Sequence, residues 1–368
     1  MEPRLQILTE DDTILKFRLS GVNVSLANAI RRIILSDIPC YVFRTTPYAE
    51  NKSTILVNTS RLNNEIIKQR LSCIPIHISD TDFNFNDYKL EIDIKNDSDT
   101  IKIITTEDFK LKNISTDKYL SKESLKRVFP PNTISGEYID FVRLRPKISD
   151  NIEGEQLKME CLLDVGYARQ DGAFNVVSCC SYGNTHDPIT QNKAWTAMES
   201  KLRSEGEGKE EIEYNKNDWM ALEANRYFIK DSFDFIIETL GIYENREILK
   251  MACKIMIEKL DNFADNIQKE PELITTIDTT IKNCYEVILK SDDYTVGKAL
   301  EFVIYNNYYL EKNGPLTFCG FRKPHPHINI SIIRLGFKNP IEKQEVGTML
   351  FRVVEILSVF YRNLETMF

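Results

Sequence analysis

Near the start of the chain the apolar residues change period once. Leu5 and Ile7, then Ile14, Phe17 and Leu19, flank the polar turn Thr9-Glu10-Asp11-Asp12, as a hairpin requires. From there Leu26, Ile30, Ile33, Ile34 and Ile38 fall at i, i+4, i+7, i+8 and i+12. That spacing makes one continuous stripe on a helix over 26–38, which Pro39 stops. After a strand-like segment at 40–48, residues 49–181 read as short strands, among them 88–95, 101–105, 139–144 and 156–163, with a helix near 63–71. Asn96-Asp97-Ser98-Asp99, Pro130-Pro131-Asn132 and Ser149-Asp150-Asn151 supply the turns.

Residues 187–214 are rich in charge and are expected to form a mobile surface loop, with its charged part near 204–217 and residues 204–211 packing nowhere. A strand at 227–235 precedes a helix over 245–263, on which Ile248, Ala252, Ile255, Ile257 and Leu260 keep a helical spacing. Beyond a tether at 266–273, containing Pro271, come strands at 275–280 and 283–289, a helix over 295–310, and strands at 315–319 and 328–335. A last helix runs from 340 to the C-terminus. Its apolar residues Val346, Met349, Val353, Ile356, Phe360 and Leu364 step by 3, 4, 3, 4 and 4, the seam of a helix that pairs with another. Six such side chains contribute on the order of 10 kcal/mol of gross hydrophobic free energy when covered.

The start of one helix occurs twice, about 270 residues apart: Ser25-Leu26-Ala27-Asn28-Ala29-Ile30 and Thr295-Val296-Gly297-Lys298-Ala299-Leu300. In each, a hydroxyl residue placed to cap the exposed amides precedes an aliphatic, a small, a polar, an Ala and another aliphatic residue. Two related halves in one polypeptide imply a dimer whose subunits were joined. The expected fold class is α+β: a pseudo-symmetric dimerisation module of two small sheets and long helices, with a strand-rich insert in the N-terminal half. The expected divisions are 1–48 and 182–265 for the first half, 49–181 for the insert, 266–273 for the tether and 274–368 for the second half.

A chain of 368 residues, 42% hydrophobic and 28% charged, can bury two or three cores. Its net charge of -8 argues against a free-standing nucleic-acid binder. The start Met1-Glu2-Pro3-Arg4 lacks an apolar signal core, and no apolar run is long enough to span a bilayer, so a non-secreted protein without membrane contact is expected. The eight cysteines include no C-x-x-C pair, and adjacent Cys179 and Cys180 would point to opposite faces of a strand, as reduced packing residues do. His325 and His327 would share a face of extended chain, but no third ligand is near in sequence, and Pro324 and Pro326 read as a rigid entry to the next strand. Asp97 and Asp99 read as a turn, and Arg143, Arg145 and Lys147 as a solvent face. No nucleophile with its base and no phosphate-cradling glycine loop is apparent; no catalytic residue, metal site or cofactor is expected in this chain.

The stretch Ser25-Leu26-Ala27-Asn28-Ala29-Ile30-Arg31-Arg32-Ile33-Ile34-Leu35-Ser36-Asp37-Ile38-Pro39 resembles the N-terminal helix of the alpha-like subunits that assemble DNA-directed RNA polymerases: bacterial alpha, archaeal D and the third-largest subunit of polymerase II. Arg70-Leu71-Ser72-Cys73-Ile74-Pro75-Ile76 is similar to the family's HRLGLIPL element, and Gly166-Tyr167-Ala168-Arg169 sits where the family has its Gly- and basic-rich loop. The last hundred residues resemble the partner subunit, archaeal L or the eleventh subunit of polymerase II, through Asp292-Asp293-Tyr294-Thr295-Val296-Gly297 and Gly320-Phe321-Arg322-Lys323-Pro324-His325-Pro326-His327. Two departures stand out. The family's cysteine cluster after the Ile-Pro-Leu element is missing at 80–86, and Gln170-Asp171-Gly172-Ala173 replaces its His-Ala-Lys.

The resemblance implies a non-catalytic assembly platform that docks the largest and second-largest subunits, with the catalytic magnesium in the largest and small subunits like the tenth and twelfth nearby. DNA and RNA would be met only through the complex. Arg31 and Arg32 project about 100 degrees apart on a helix and would by themselves read as solvated charge. The resemblance assigns Asn28, Arg31, Arg32, Arg70 and Arg169 to the junction with partner subunits. It places Ile30, Ile34, Leu300, Ile304, Val346, Met349, Val353, Ile356 and Phe360 in the contact between the halves. A fusion of this kind, with many Ile, Lys and Asn residues, resembles a product of a large cytoplasmic DNA virus. That source implies a cytoplasmic viral factory or virion; a cellular source implies the nucleus. The alternatives are a viral adaptor or structural protein on the same fold, or a metal-dependent nuclease built on Asp97 and Asp99.

Overall fold

A computed structural model describes residues 2–80, 83–149 and 152–368. The chain opens with the expected hairpin, β1 (Arg4–Glu10) and β2 (Ile14–Ser20), whose turn is held by Asp11 accepting from the amides of Thr13 and Ile14. Helix α1 (Val24–Ser36) follows. The insert then adds β3 (Pro39–Val42), β4 (Ser53–Asn58), α2 (Asn64–Ser72), β5 (Tyr88–Lys95), β6 (Lys102–Thr105), β7 (Lys110–Asn113), β8 (Lys118–Tyr119), α3 (Lys122–Val128), β9 (Asp140–Leu144), β10 (Gln156–Leu162) and β11 (Asp164–Tyr167). Then come β12 (Val177–His186), α4 (Pro188–Ser204), α5 (Lys209–Ala221), β13 (Phe228–Thr239) and α6 (Asn245–Lys269). The chain ends with β14 (Ile274–Ile277), β15 (Cys284–Lys290), α7 (Tyr294–Ile304), β16 (Leu316–Arg322), β17 (Ile330–Phe337) and α8 (Lys343–Glu365). The chain is mixed α+β, as the patterning predicts.

Two compact units result: one holds residues up to Ile33, Cys179–Glu238 and Leu249–Phe368, the other Ile34–Ser178 and Thr239–Ile248. The boundary between the two units runs through α1, and α6 begins in the second unit.

In the first unit the same topology occurs twice. One sheet has the order β1-β2-β13-β12 and the other β14-β15-β17-β16. In each, a hairpin leads through three residues into a helix, a second hairpin follows, its later strand pairs with the later strand of the first hairpin, and a long helix closes the half. The local chemistry repeats as well. Gly21 and Ser291, each the first residue after a strand, both have positive φ. Asn23 and Asp293 then cap the two helices through side-chain oxygens that accept from the amides of Ser25 (2.9 Å) and Thr295 (2.8 Å). The caps thus stand two residues before the hydroxyl residues expected from sequence, because the short polar side chain preceding the first turn reaches forward to the N–H groups. At Gly21 a side chain has no room: a Cβ would lie 2.4 Å from the Glu2 carbonyl oxygen.

The faces of these helices fill the core, with Leu26, Ile30, Val296 and Leu300 buried. Phe17 of the first sheet stacks on Phe235 (4.9 Å between ring centroids) and meets Phe368 of the second half edge-on at 5.4 Å. Helices α6 and α8 approach where Lys254 pairs with Glu365 at 3.7 Å. On α8 the seam departs from the sequence expectation. Val346, Met349, Val353 and Phe360 are buried, but Ile356 is 36% exposed and Leu357 takes its place with no exposed surface. The buried row is Val346, Leu350, Val353, Leu357, Phe360 and Leu364, stepping by 4, 3, 4, 3 and 4, so the helix keeps a heptad seam and Ile356, about 100 degrees round from Leu357, lies at its edge.

The region expected as a mobile loop, 187–214 with its charged part near 204–217, is largely helical. Helices α4 and α5 form a hairpin between β12 and β13, around Trp195, Leu202, Trp219 and Ala224. Asp187 caps α4 and Pro188 begins it, while Gln191 donates to the Ala224 carbonyl at 2.9 Å. The charge stays on the outside, and one apolar residue every two turns, Trp195 with Leu202 and Ile212 with Trp219, suffices to join the pair. The chain has two tryptophans, both in this core with centroids 5.6 Å apart, so its tryptophan emission reports the hairpin alone. Leu202→Ala is expected to loosen the hairpin by about 2 kcal/mol or more and to red-shift that emission in low denaturant, with far-UV circular dichroism otherwise retained.

The second unit is built on the five-stranded sheet β4-β10-β5-β7-β8, with the pairs β6-β9 and β3-β11 beside it. Its core gathers Phe43, Ile67, Leu90, Phe109, Phe129, Phe141 and Met159. Phe109 meets both Phe129 and Phe141 edge-on at 5.4 Å. The expected turn at Asn96 is a buried polar knot: its side-chain amide donates to the carbonyls of Thr100 (2.8 Å) and Leu144 (2.9 Å), and its oxygen accepts from Ser98. Of the turn expected at Ser149-Asp150-Asn151, Asp150 and Asn151 lie outside the described residues.

Candidate partner-subunit interface

The residues expected to meet partner subunits fall into separate local settings. On α1, Arg31 donates through Nε to the Asn28 side-chain oxygen at 2.9 Å, one turn earlier, and both remain half-buried. Arg32, at the next position, points to the second half instead. Its Nε donates to the Thr295 hydroxyl at 2.9 Å and its guanidinium pairs with Asp293. The arginine expected to anchor an outside subunit is therefore engaged with the cap of α7. The Arg32 side chain is 35% and that of Asp293 40% exposed, so the pair is only partly desolvated.

Burial pushes the Asp293 carboxyl upward, but the Thr295 amide and hydroxyl and the Arg32 guanidinium outweigh it and hold the group below the usual carboxylate range. The stabilisation is fully present above the pKa of the unfolded carboxyl and is lost as pH falls through the lower folded value. Asp293→Asn, which keeps a capping oxygen, is expected to flatten the fall in denaturation midpoint below about pH 4 and to leave the midpoint near pH 7 lower by about 1 kcal/mol or less, since the pair is partly exposed. A pH series of urea melts measures both.

In the second unit, Arg70 and Arg169 also have internal partners. Arg70 donates to the carbonyls of Asp140 (2.7 Å) and Phe141 (2.6 Å). The β6-β9 register skips between Ile104 and Thr105, leaving Phe141 as the extra residue on β9, so Arg70 satisfies a carbonyl that the ladder gives up. Arg169 lies over the Tyr167 ring at 4.7 Å, reaches Asp37 at 3.5 Å, and through its amide donates to the Ser36 carbonyl at 3.0 Å. Its side chain is 51% exposed and presents a cation on an aromatic platform. Arg44, which sequence reading passed over, is buried: it donates to Asp164 and to the Val165 carbonyl, both at 2.6 Å, and fixes the strand that carries Gly166 and Tyr167. A charged residue inside the expected strand 40–48, opposite an acidic residue in a later strand, was the available signal.

Of the residues expected between the halves, Ile30, Ile34, Leu300, Ile304, Val346, Met349, Val353 and Phe360 are buried. Ile356, at the edge of the α8 seam, is the exception.

Cys180 is buried and Cys179 half-buried, and burial pushes the Cys180 thiol up to about 12. His327 donates its amide to Nδ1 of His325 at 3.2 Å, an arrangement internal to an exposed loop. Asp97 pairs with Lys95 at 3.4 Å. Among the described residues no three His, Cys, Asp or Glu side chains are grouped to hold a metal ion, and no helix is long and apolar enough to cross a membrane.

A profile of the RNA polymerase Rpb3/Rpb11 dimerisation domain matches residues 16–260, from β2 to α6. The chain belongs to this family. Its similarity to individual members is low in identity and long in extent. It is 26% identical over 302 residues to the DNA-directed RNA polymerases I and III subunit rpac1 of Dictyostelium discoideum, covering 72% of this chain and 82% of that one. It is 24% identical over 290 residues to the DNA-directed RNA polymerase subunit Rpo3 of Pyrococcus furiosus, covering 72% and 97%. The human RPAC1 subunit of polymerases I and III is 22% identical over 306 residues, covering 72% and 84%. The Rpb3/Rpb11 match ends before β14, so the second copy of the topology lies beyond it.

Proposed function

We propose that this chain is a non-catalytic assembly subunit of a multisubunit DNA-directed RNA polymerase, carrying both members of the dimerisation pair in one polypeptide. The observation that carries this reading is the repeated topology, β1-β2-β13-β12 with α1 and α6, then β14-β15-β17-β16 with α7 and α8, beside a family match to the first copy. The first half stands for the Rpo3-like member and residues 274–368 for its smaller partner, as their resemblance to the archaeal L subunit implies. Joining them fixes one-to-one stoichiometry and raises their effective concentration to roughly the millimolar range.

In this reading the platform docks the largest and second-largest subunits, and small subunits like the tenth and twelfth sit beside it. The catalytic magnesium belongs to the largest subunit, and this chain holds no cofactor. Asn28 with Arg31 on α1, and Arg169 on Tyr167, are the contact points, because these arginines keep exposed or half-buried surface while their geometry is fixed internally. A viral source, with the polymerase working in the cytoplasm, belongs to the same proposal. Capture with the tagged full-length chain from its native source tests it: wild type is expected to retain two much larger polypeptides, and Asn28→Ala with Arg31→Ala to lose most of them while the isolated chain melts as before. Capture unchanged by the double substitution removes that face from the interface.

A further inference from the structure

The two copies of the fold have similar apolar faces. Leu26, Ile30 and Ile34 of α1 correspond to Val296, Leu300 and Ile304 of α7, and all are buried. Apolar shape alone therefore discriminates little between a first half meeting a second half and a half meeting its own kind in another copy of the chain. Charge at one place does discriminate. Arg32 pairs with Asp293 and donates to Thr295 at 2.9 Å. We propose that this ion pair selects the mixed pairing of halves, so that a first half meets a second half instead of the first half of another copy. The proposal rests on the reading of the chain as two joined halves.

The repeat supplies the argument. The offset that carries Asn23 to Asp293 and Ser25 to Thr295 carries Arg32 to Phe302. In a two-fold arrangement of like halves, a contact from one position to another must recur in reverse. Two first halves would bring Arg32 to Asn23 and Ser25, which carry no charge. Two second halves would bring Phe302 to Asp293 and Thr295, leaving the carboxylate without a cation. The opposite charges meet only when the halves differ, the device by which helix pairs reject wrong partners. Asn23 and Asp293 both cap their helices, so the difference between them is one of charge and not of local structure.

The test uses full-length protein refolded from denaturant at tens of micromolar, with the monomer and dimer fractions read by size exclusion with light scattering. Asn23→Asp keeps the cap and gives each Arg32 of two paired first halves a carboxylate to meet, so the dimer-to-monomer ratio is expected to rise roughly five- to thirtyfold, the combined effect of two partly exposed ion pairs. Arg32→Glu is expected to raise it likewise by repelling Asp293, and Arg32→Glu with Asp293→Arg to return it to the wild-type value. Circular dichroism confirms that the Arg32→Glu protein is folded. An unchanged ratio in Asn23→Asp, or a double variant that stays as dimeric as Arg32→Glu alone, overturns the proposal. The readout needs no polymerase subunit, so failure to capture large partners would count against the assembly role and leave this test standing.

Discussion

Leu357→Asp is expected to abolish cooperative folding of the first unit, whereas Ile356→Asp, one residue away, leaves the midpoint of unfolding of the isolated chain within about 0.5 kcal/mol of wild type. Leu357 has no exposed surface and sits on α8 between Val353 and Tyr361, which are also fully buried. Truncation to Ala alone costs about 2 to 5 kcal/mol at such a site, and a carboxylate adds the desolvation of an unpaired charge. Ile356 is 36% exposed and faces away from this row. Urea melts of the two variants decide which residue belongs to the seam; equal losses would mean that the helix is rotated from the position described.

The second large effect is expected at Gly154. A Cβ there would lie 1.6 Å from the Asn96 carbonyl oxygen and 2.8 Å from its carbon, with the Lys147 amide at 3.3 Å. All three atoms are backbone, so no side chain can swing away. The surrounding chain is held by the Asn96 amide donating to the Glu155 carbonyl (2.9 Å), the Glu155 amide to the Arg145 carbonyl (3.2 Å), and buried Glu155 accepting from the Arg145 amide at 2.7 Å. Gly154→Ala must break part of this knot. We expect a loss of about 3 kcal/mol or more, the upper end for overpacked sites, seen as a lowered midpoint by circular dichroism or as failure to recover soluble protein. A midpoint unchanged from wild type would show that the turn has more freedom than its hydrogen bonds imply.

What the sequence made legible follows from how local each signal is. The first hairpin, the stripe on α1, strand β5 and the repeated helix start all depend on residues within a few positions of one another, and the structure has them within a residue or two of where the periodicity places them. The cap positions were displaced because a Ser or Thr beside an Asn or Asp offers two candidate oxygens, and only backbone geometry decides between them. The positive φ at Ser291 carries no sequence signal beyond its alignment with Gly21. The α4-α5 hairpin was hidden by composition: its two-tryptophan core is a small fraction of a segment otherwise made of charged and polar residues. Ile356 was misplaced because adjacent Ile356 and Leu357 both fit a heptad stepping from Val353, by 3 or by 4, and only packing decides between them.

The site residues were legible to a different degree. Sequence and family resemblance selected the arginines, but not their partners, which come from distant parts of the chain. Arg32 meets a cap far away in the second half, and Arg70 a bulged strand that only sheet register reveals. Long-range pairing of this kind has no local periodicity to betray it.

The assembly role is tested most directly by native mass spectrometry of the complex recovered with the full-length chain at moderate salt. The account predicts one copy of this chain with one copy each of two much larger subunits. A monomer or homodimer of the chain, free of large partners, would contradict it.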